Sequence, residues 1–522
     1  MPKAASPGAS PRAPSRVGER IRRAVLCFIG LAAFGLLGLV VATNVVLRSD
    51  WLSGEINSDP ATLFITYTGA RSLAPGHLRF DTFTLRSRDS NVEWEARLEN
   101  LSIRVRLSDL LRRRFRAGPV RADVLSFRLR ERLERPEATP ARLARYPGIV
   151  GFREPPLRDP PAPPRPPGDP WVVIVHDLSV GLVREIWIDS WRWTGTARVT
   201  GGFFLRPGLV AEVFPSEVAG IRGTVHWGRE SVSRETTGIV HAAIRRFDTH
   251  AYPGNEVWKI VSGASSLRGT LDGLTFLAPE GGGPRLTPGG EGTIRARVSL
   301  QDGRGSVRLD ADAAAVVVKL GVRTMRGAVR ANVLVRRIDF PAGSLAFDGT
   351  RVKLQHVSQD GTAGAPWSGA FEARRASLGL ATGSLDAQLS ARLGDGRPLA
   401  ALVPSGPPKW IAGLLDLRDF EASGRLHASR SSLAISPARA EAGTFSIDAD
   451  WRKIRGRAWG ALLVRKGALS LGLGLLEGGT SLHLVGAADW FSREGRPGGL
   501  RTDRAERTDR AGGSVAPARS SR

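Results

Sequence analysis

The chain has 522 residues, 75 Lys and Arg against 50 Asp and Glu (formal charge +25), 42% hydrophobic residues and one cysteine. That length holds two or three domains with buried cores, and the single cysteine excludes any disulfide within the chain. The charge does not mark a nucleic-acid partner, because the arginines are spread along the whole sequence and not gathered in a patch with aromatic neighbours; an arginine-biased proteome or attraction to anionic lipid head groups accounts for it.

Residues 1–23 form a basic tail, with Lys3, Arg12, Arg16, Arg20, Arg22 and Arg23 against Glu19. From Ala24 to Leu47 no side chain is charged. At about 1.5 Å per residue this stretch reaches about 36 Å, enough for a hydrocarbon core of about 30 Å. The expected anchor includes Ala24, Leu26, Phe34, Leu37, Val41 and Leu47. A cleaved signal ending near Val40-Val41-Ala42 is the competing reading, but the apolar run is too long for it. Arg22-Arg23 is a poor twin-arginine signal, and Leu26 before Cys27 does not fit a lipoprotein site. The basic flank keeps the N-terminus cytoplasmic and sends the bulk of the chain across as a single-span protein. Gly38 and Ala42 give the helix a weak small-residue pairing motif.

Residues 48–135 open the exported region. Leu101, Ile103, Val105 and Leu107 alternate with Ser102, Arg104 and Arg106, the period-two pattern of a strand with one apolar face. Ser108 to Phe115 reads as one or two helical turns capped by Ser108. Residues 136–170 then hold 12 of the chain's 34 prolines. A stretch so poor in backbone donors reads as a polyproline spacer or a disordered insertion.

Residues 171–491 form the main β region. Trp171, Trp187, Trp191, Trp193 and Trp227 cluster at its start, and an unbroken strand would put Trp187, Trp191 and Trp193 on one face, as core or as a lipid-facing or partner surface. Alternation places Val307, Leu309 and Ala311 on one face, likewise Leu385, Ala387, Leu389 and Ala391, then Phe445 and Ile447, then Leu471 and Leu473. Asp-Gly pairs at 302, 348, 360 and 395 punctuate these runs as turns. Residues 279–292 read as a loose glycine-rich segment, Leu399–Val403 and Lys409–Leu417 as a helical interruption, and residues 492–522 as a disordered tail.

No catalytic or metal-ligating constellation stands out. The eight histidines are far apart, no Cys pair exists, and no Gly-x-Ser-x-Gly, Ser-x-x-Lys or Walker-type loop occurs. Gly472, Gly474 and Gly478 line one side of a strand, where a ligand would be able to approach the backbone. Asp310 and Asp312 read as a solvated face and not as a glycosidase pair. No cofactor is expected.

About 14 residues per strand and turn predict 25–30 strands, or about 120 Å of continuous sheet. An apolar face of that size must be covered by a second sheet or curl into a trough. The many alanines on that face, among them Ala311, Ala387 and Ala391, leave a channel that a jigsaw core would fill. The expected fold is therefore mainly β: one N-terminal transmembrane helix, a long curved antiparallel sheet forming a groove, and few short helices.

The segment from Ser72 to Arg86 after a single membrane helix, the strand ending in Leu107-Ser108-Asp109-Leu110-Leu111-Arg112, and the stretches Val183–Ile188 and Gly195–Val199 resemble the AsmA-like proteins, the group that includes TamB. The resemblance rests on pattern and not on a catalytic motif. It implies a periplasmic repeating-β groove, anchored in the bacterial inner membrane, that shields phospholipid acyl chains on the way to the outer membrane. Membrane lipids are the expected partners. The alternative is an assembly factor that offers strand edges to outer-membrane or envelope proteins.

Overall fold

The computed structural model describes residues 16–493 except 58–62, 90, 160–170, 253, 274–285, 289–291, 321–322, 360–365, 396–417, 430, 455–456 and 477–478. The helical interruption expected between Leu399 and Leu417, most of 279–292 and nearly all of the tail after Ser492 lie outside the described residues. Helix α1 (Arg16–Arg48) starts the described chain, and its Cys27–Arg48 portion is long and apolar enough to cross a membrane. Phe34, Leu37 and Val41 are exposed along it. Ala24 and Leu26 lie in α1. Leu47, expected to face lipid, instead packs into the protein core at 6% exposure, because the sheet begins against the last turn of the helix.

The protein is mainly β. Before the proline-rich insertion come β1 (Leu63–Thr68), β2 (Arg71–Ala74), β3 (His77–Arg88), β4 (Val92–Val105) and β5 (Arg114–Glu131). After it come β6 (Val172–Ile188), β7 (Trp191–Arg206), β8 (Val210–Trp227), β9 (Glu230–Asp248) and β10 (Val261–Leu271). Next are β11 (Leu286–Pro288), β12 (Gly292–Gln301), β13 (Arg304–Leu320), β14 (Arg323–Asp339), β15 (Ser344–Phe347), β16 (Thr350–Gln359), β17 (Trp367–Gly379) and β18 (Ser384–Asp395). The last are β19 (Arg418–Ala428), β20 (Ser432–Ala442), β21 (Phe445–Ile454), β22 (Arg457–Lys466), β23 (Leu469–Leu476) and β24 (Gly479–His483).

These 24 described strands form one sheet, slightly fewer than the strand count expected. Almost every strand pairs with its sequence neighbours. Three pairs lie end to end, β1 with β2, β11 with β12, and β15 with β16, so the sheet has 21 rows. At about 4.8 Å per row it is roughly 100 Å long.

One joint departs from the antiparallel order. β5 and β6 run parallel, from Arg114 opposite Val172 to Leu129 opposite Ile188. A parallel pair needs a crossover of a dozen or more residues, and the insertion supplies it. The insertion therefore separates no domains, because the strands on either side of it are bonded to each other.

The described part of the insertion is neither spacer nor loose coil. It forms a 3-10 turn at Arg135–Glu137 and a short helix at Pro140–Leu143 capped by Thr139. Leu133, Tyr146, Pro147, Ile149 and Pro156 are buried. Its apolar residues lie against the sheet, and its carbonyls meet arginines that point out of it. Arg130 donates to Glu93 at 2.9 Å and to the Pro147 and Arg153 carbonyls. The Arg130 and Glu93 side chains are only 1% and 2% exposed. Arg132 donates to the Leu157 carbonyl and pairs with Asp159 at 2.8 Å.

The helix after β4 also differs from expectation. It covers Leu107–Leu110 with Arg106 as its N-cap and no side-chain cap bond, and Phe115 already belongs to β5.

The main core gathers Leu47, Ala70, Phe80, Leu101, Ile103, Val120, Val180, Val183, Ala197 and Ile221. All described strands belong to one sheet, so no second sheet lies over these residues. Val180 at 1% exposure requires the sheet to curl over its own apolar face. Bulges supply the bend. Asp177, Glu235, His356 and Arg375 have left-handed backbone, each at a register shift or close beside one.

Two outcomes follow for the insertion. Arg130→Met removes the nearer of the two guanidinium groups on the buried Glu93 carboxylate, leaving Arg132 3.7 Å away, and lowers unfolding free energy by about 1–3 kcal/mol, with early proteolysis between residues 133 and 158, read by denaturant titration and limited digestion. Burial, then the charge of Asp189, holds the Glu131 carboxyl above its ordinary range, and burial does the same for Asp189. A raised carboxyl contributes stability in full below its unfolded value of about 4 and loses it as pH rises through the folded value. Melting temperature should therefore fall with pH just above 4 less steeply in Asp189→Asn than in wild type.

Candidate functional site

Cross-strand register sorts the apolar residues into unbroken rows. One row runs Gly269, Ile294, Ala311, Ala331, Val352, Phe371, Ala391, Ala422, Ala440, Ile447, Val464 and Leu471, across twelve strands from β10 to β23. A second runs Ala122, Val180, Val199, Val218, Val240, Ser265, Val298, Val307, Val335, Phe347 and Ala376. A third runs Ala373, Leu389, Gly424, Ala438, Ala449, Leu462, Leu473 and Leu482. Directly opposed side chains project to the same side of a sheet, so each row is a strip of one face.

The expected lining residues all fall on this face. Ala311, Ala391, Ile447 and Leu471 share the first row, Val307 lies in the second, and Leu389 and Leu473 lie in the third. Leu309 opposes Ala296 and Val333, Leu385 opposes Leu378 and Ala428, Ala387 opposes Leu426, and Phe445 opposes Ala442 and Lys466. Sequence reading missed Val352, Phe371 and Ile435. The signal was there, since Val352-Lys353-Leu354 and Phe371-Glu372-Ala373 alternate, but each run is short.

Filling changes along the sheet. Between β3 and β8 the face is closed by its own side chains. Beyond β13, Ala387, Leu393, Phe420 and Phe445 are buried, yet large neighbours stay open: Phe371 at 40%, Leu389 at 39% and Ile435 at 37% exposure. A sandwich interior would bring such side chains close to zero.

The opposite face carries charge at the alternate positions. Arg330 pairs with Asp312 at 2.6 Å, Arg351 with Glu372 at 3.2 Å, Arg392 with Glu421 at 3.1 Å and Arg465 with Asp448 at 2.7 Å. Exposed pairs of this kind contribute about 0–1 kcal/mol each; their effect is to keep that face wet.

The tryptophans do not form one surface. A turn at Asp189 and Ser190 breaks the strand assumed to be continuous, so Trp191 opposes Ile188 and Trp193 opposes Ile186. Trp193 packs on the main core. Trp187 projects to the other side, where its indole N–H donates to the Arg145 carbonyl of the insertion. The glycine face of β23 is likewise occupied. The Trp490 indole of the C-terminal helix (Ala487–Arg493) lies on Gly472 and Gly474, beside Ala461 and Leu463, and stacks on His483. Gly478 lies outside the described residues.

His77 lies 3.0 Å from Ser102 and His427 2.7 Å from Asp386, each apart from the other histidines. Among the described residues no three His, Cys, Asp or Glu side chains converge on a metal-sized site. No family model matches the chain, and no similar curated protein or solved structure was found.

A side chain at Gly472 would overlap the Trp490 ring. Gly472→Val should displace the C-terminal helix and uncover Ala461 and Leu463. The expected cost is about 1–3 kcal/mol, with a red-shifted tryptophan emission as the readout.

Proposed function

We propose that this chain is a non-enzymatic, membrane-anchored lipid-binding protein. The observation that carries the reading is the unbroken apolar face on which Phe371, Leu389 and Ile435 stay about two-fifths open beyond β13. Contiguous apolar surface left in water marks a binding face. An acyl chain laid along the rows meets alanine, valine and leucine and no charge. At about 0.8 kcal/mol per CH₂, a palmitoyl chain gains roughly 10 kcal/mol there.

On this reading α1 is an uncleaved inner-membrane anchor with a cytoplasmic N-terminus. The sheet stands in the periplasm and moves phospholipid toward the outer membrane, as the resemblance to AsmA-like proteins implies. No residue does covalent chemistry; the work is burial. A second reading, strand-edge pairing with envelope proteins, is favoured by β24. Among the described residues β24 pairs only with β23, and it leads into exposed Leu484 and Val485.

The full-length protein, extracted in mild detergent, should carry co-purifying phospholipid by mass spectrometry. Phe371→Asp with Leu389→Asp places charge among the open apolar rows. Because both positions are part-exposed, the double variant should stay folded, with a melting midpoint within about 4 °C of wild type, and lose most of the lipid. Unchanged lipid in that variant, or a lipid-free wild type that stays monodisperse, sinks the reading. Crosslinks from β24 to a partner strand would then favour edge pairing.

A further inference from the structure

Three contacts fix how the sheet stands on α1 and on the short helix that follows it (Asp50–Ile56), whose C-cap is Asn57. Asn57 exchanges hydrogen bonds with the Ile65 backbone. The Tyr67 hydroxyl donates to the Leu47 carbonyl at 3.1 Å. Asn44 accepts from the Ser72 N–H at 2.9 Å and donates to the Ser72 carbonyl at 3.0 Å. As the chain advances through Ile65, Tyr67 and Ser72, its partners step back through Asn57, Leu47 and Asn44. β1 and β2 therefore descend beside a helix that ascends. Asn44 lies inside the apolar Cys27–Arg48 stretch, so the turn at Pro75-Gly76 after β2 reaches its depth or lower.

The connection from β4 to β5 lies at the same end. The Val105 N–H donates to the Gly76 carbonyl at 2.6 Å. A side chain at Gly76 would collide with the Val105 carbonyl, so the two segments are in direct contact. That connection carries Leu111, 90% exposed, and the neighbouring strand carries Leu73, 53% exposed. Arg71, Arg104, Arg106, Arg112 and Arg114 are exposed around them. The one acid of the connection, Asp109, lies 3.5 Å from Arg116.

We propose that this end of the sheet is a second membrane contact. Leu73 and Leu111 enter the interfacial layer of the leaflet from which α1 emerges, and the arginines bind the phosphates of anionic lipid head groups. Apolar side chains inside a basic collar are the composition of interfacial anchors, and guanidinium groups match phosphate geometry. Continuity with α1 names the occupant: a lipid surface already lies at the depth of Asn44. The inference rests on α1 spanning the bilayer and does not need the sheet to carry lipid.

The test uses the full-length protein in phosphatidylcholine nanodiscs with or without phosphatidylglycerol. A spin label is placed on native Cys27, and on Leu111→Cys or Val485→Cys in a Cys27→Ser background. Power saturation with dioxygen and a water-soluble nickel chelate reads label depth. The expected result is a label in the bilayer at 27, an interfacial label at 111 that deepens with phosphatidylglycerol, and an aqueous label at 485. Arg112→Glu with Arg114→Glu should shift the 111 label toward water by about fivefold per charge in the inserted-to-free ratio, with circular dichroism unchanged. A 111 label as aqueous as 485 in both lipids, while 27 reads bilayer, overturns the proposal. Equal depth in both lipids overturns the anionic preference. An aqueous label at 27 removes the spanning helix and the proposal with it.

Discussion

Register is the constraint on which this molecule depends. Side chains alternate sides along a strand, so a slip of one residue between any two strands would carry Arg308, Asp310 and Asp312 to the side now held by Val307, Leu309 and Ala311. The pairing avoids that outcome across the described sheet, even through the bulges. Each bulge inserts a residue, and the rows continue beyond it on the same side. Val335 still opposes Val307 although the ladder shifts between Gly305 and Val307. Apolar continuity, and not hydrogen bonding alone, selects this arrangement, because any backbone offset satisfies the ladder equally well.

The same face does two things along its length. Near α1 it carries Phe80, Leu101, Ile103 and the valines at 173, 175, 180 and 183, which fill the curl and bury the end of the helix. Farther along, alanines at 331, 391, 422 and 440 occupy much of the row, and Phe371 among them is left partly open. Side-chain size thus sets where the face is a core and where it is a surface. The insertion adds a separate layer on the opposite face, held by arginines whose charge is satisfied by carboxylates and backbone carbonyls.

Much of this was legible in the sequence. The apolar helix follows from an unbroken uncharged run, and the period of two and the sharing of one face by the candidate lining residues follow from side-chain alternation, both local properties. What could not be read is non-local. Proline-rich composition predicts poor ladder formation, yet does not reveal that Arg130 and Arg132 offer donors to that segment's carbonyls. Odd numbering put Trp187 beside Trp191 because the turn at Asp189, with its left-handed backbone, carries no glycine or proline to announce it. The glycines of β23 looked like room for a ligand and turned out to be room for an indole. Leu47 looked lipid-facing because nothing in an apolar run tells which residue meets the folded domain.

A meander in which nearly every strand touches only the strands beside it has no keystone. One more hairpin between two existing ones would lengthen the strip by about 10 Å and leave the N-terminal helix, the closed end and the terminal helix as they are. Reach is then an independently adjustable trait, counted in hairpins, much as a ladder's height is counted in rungs.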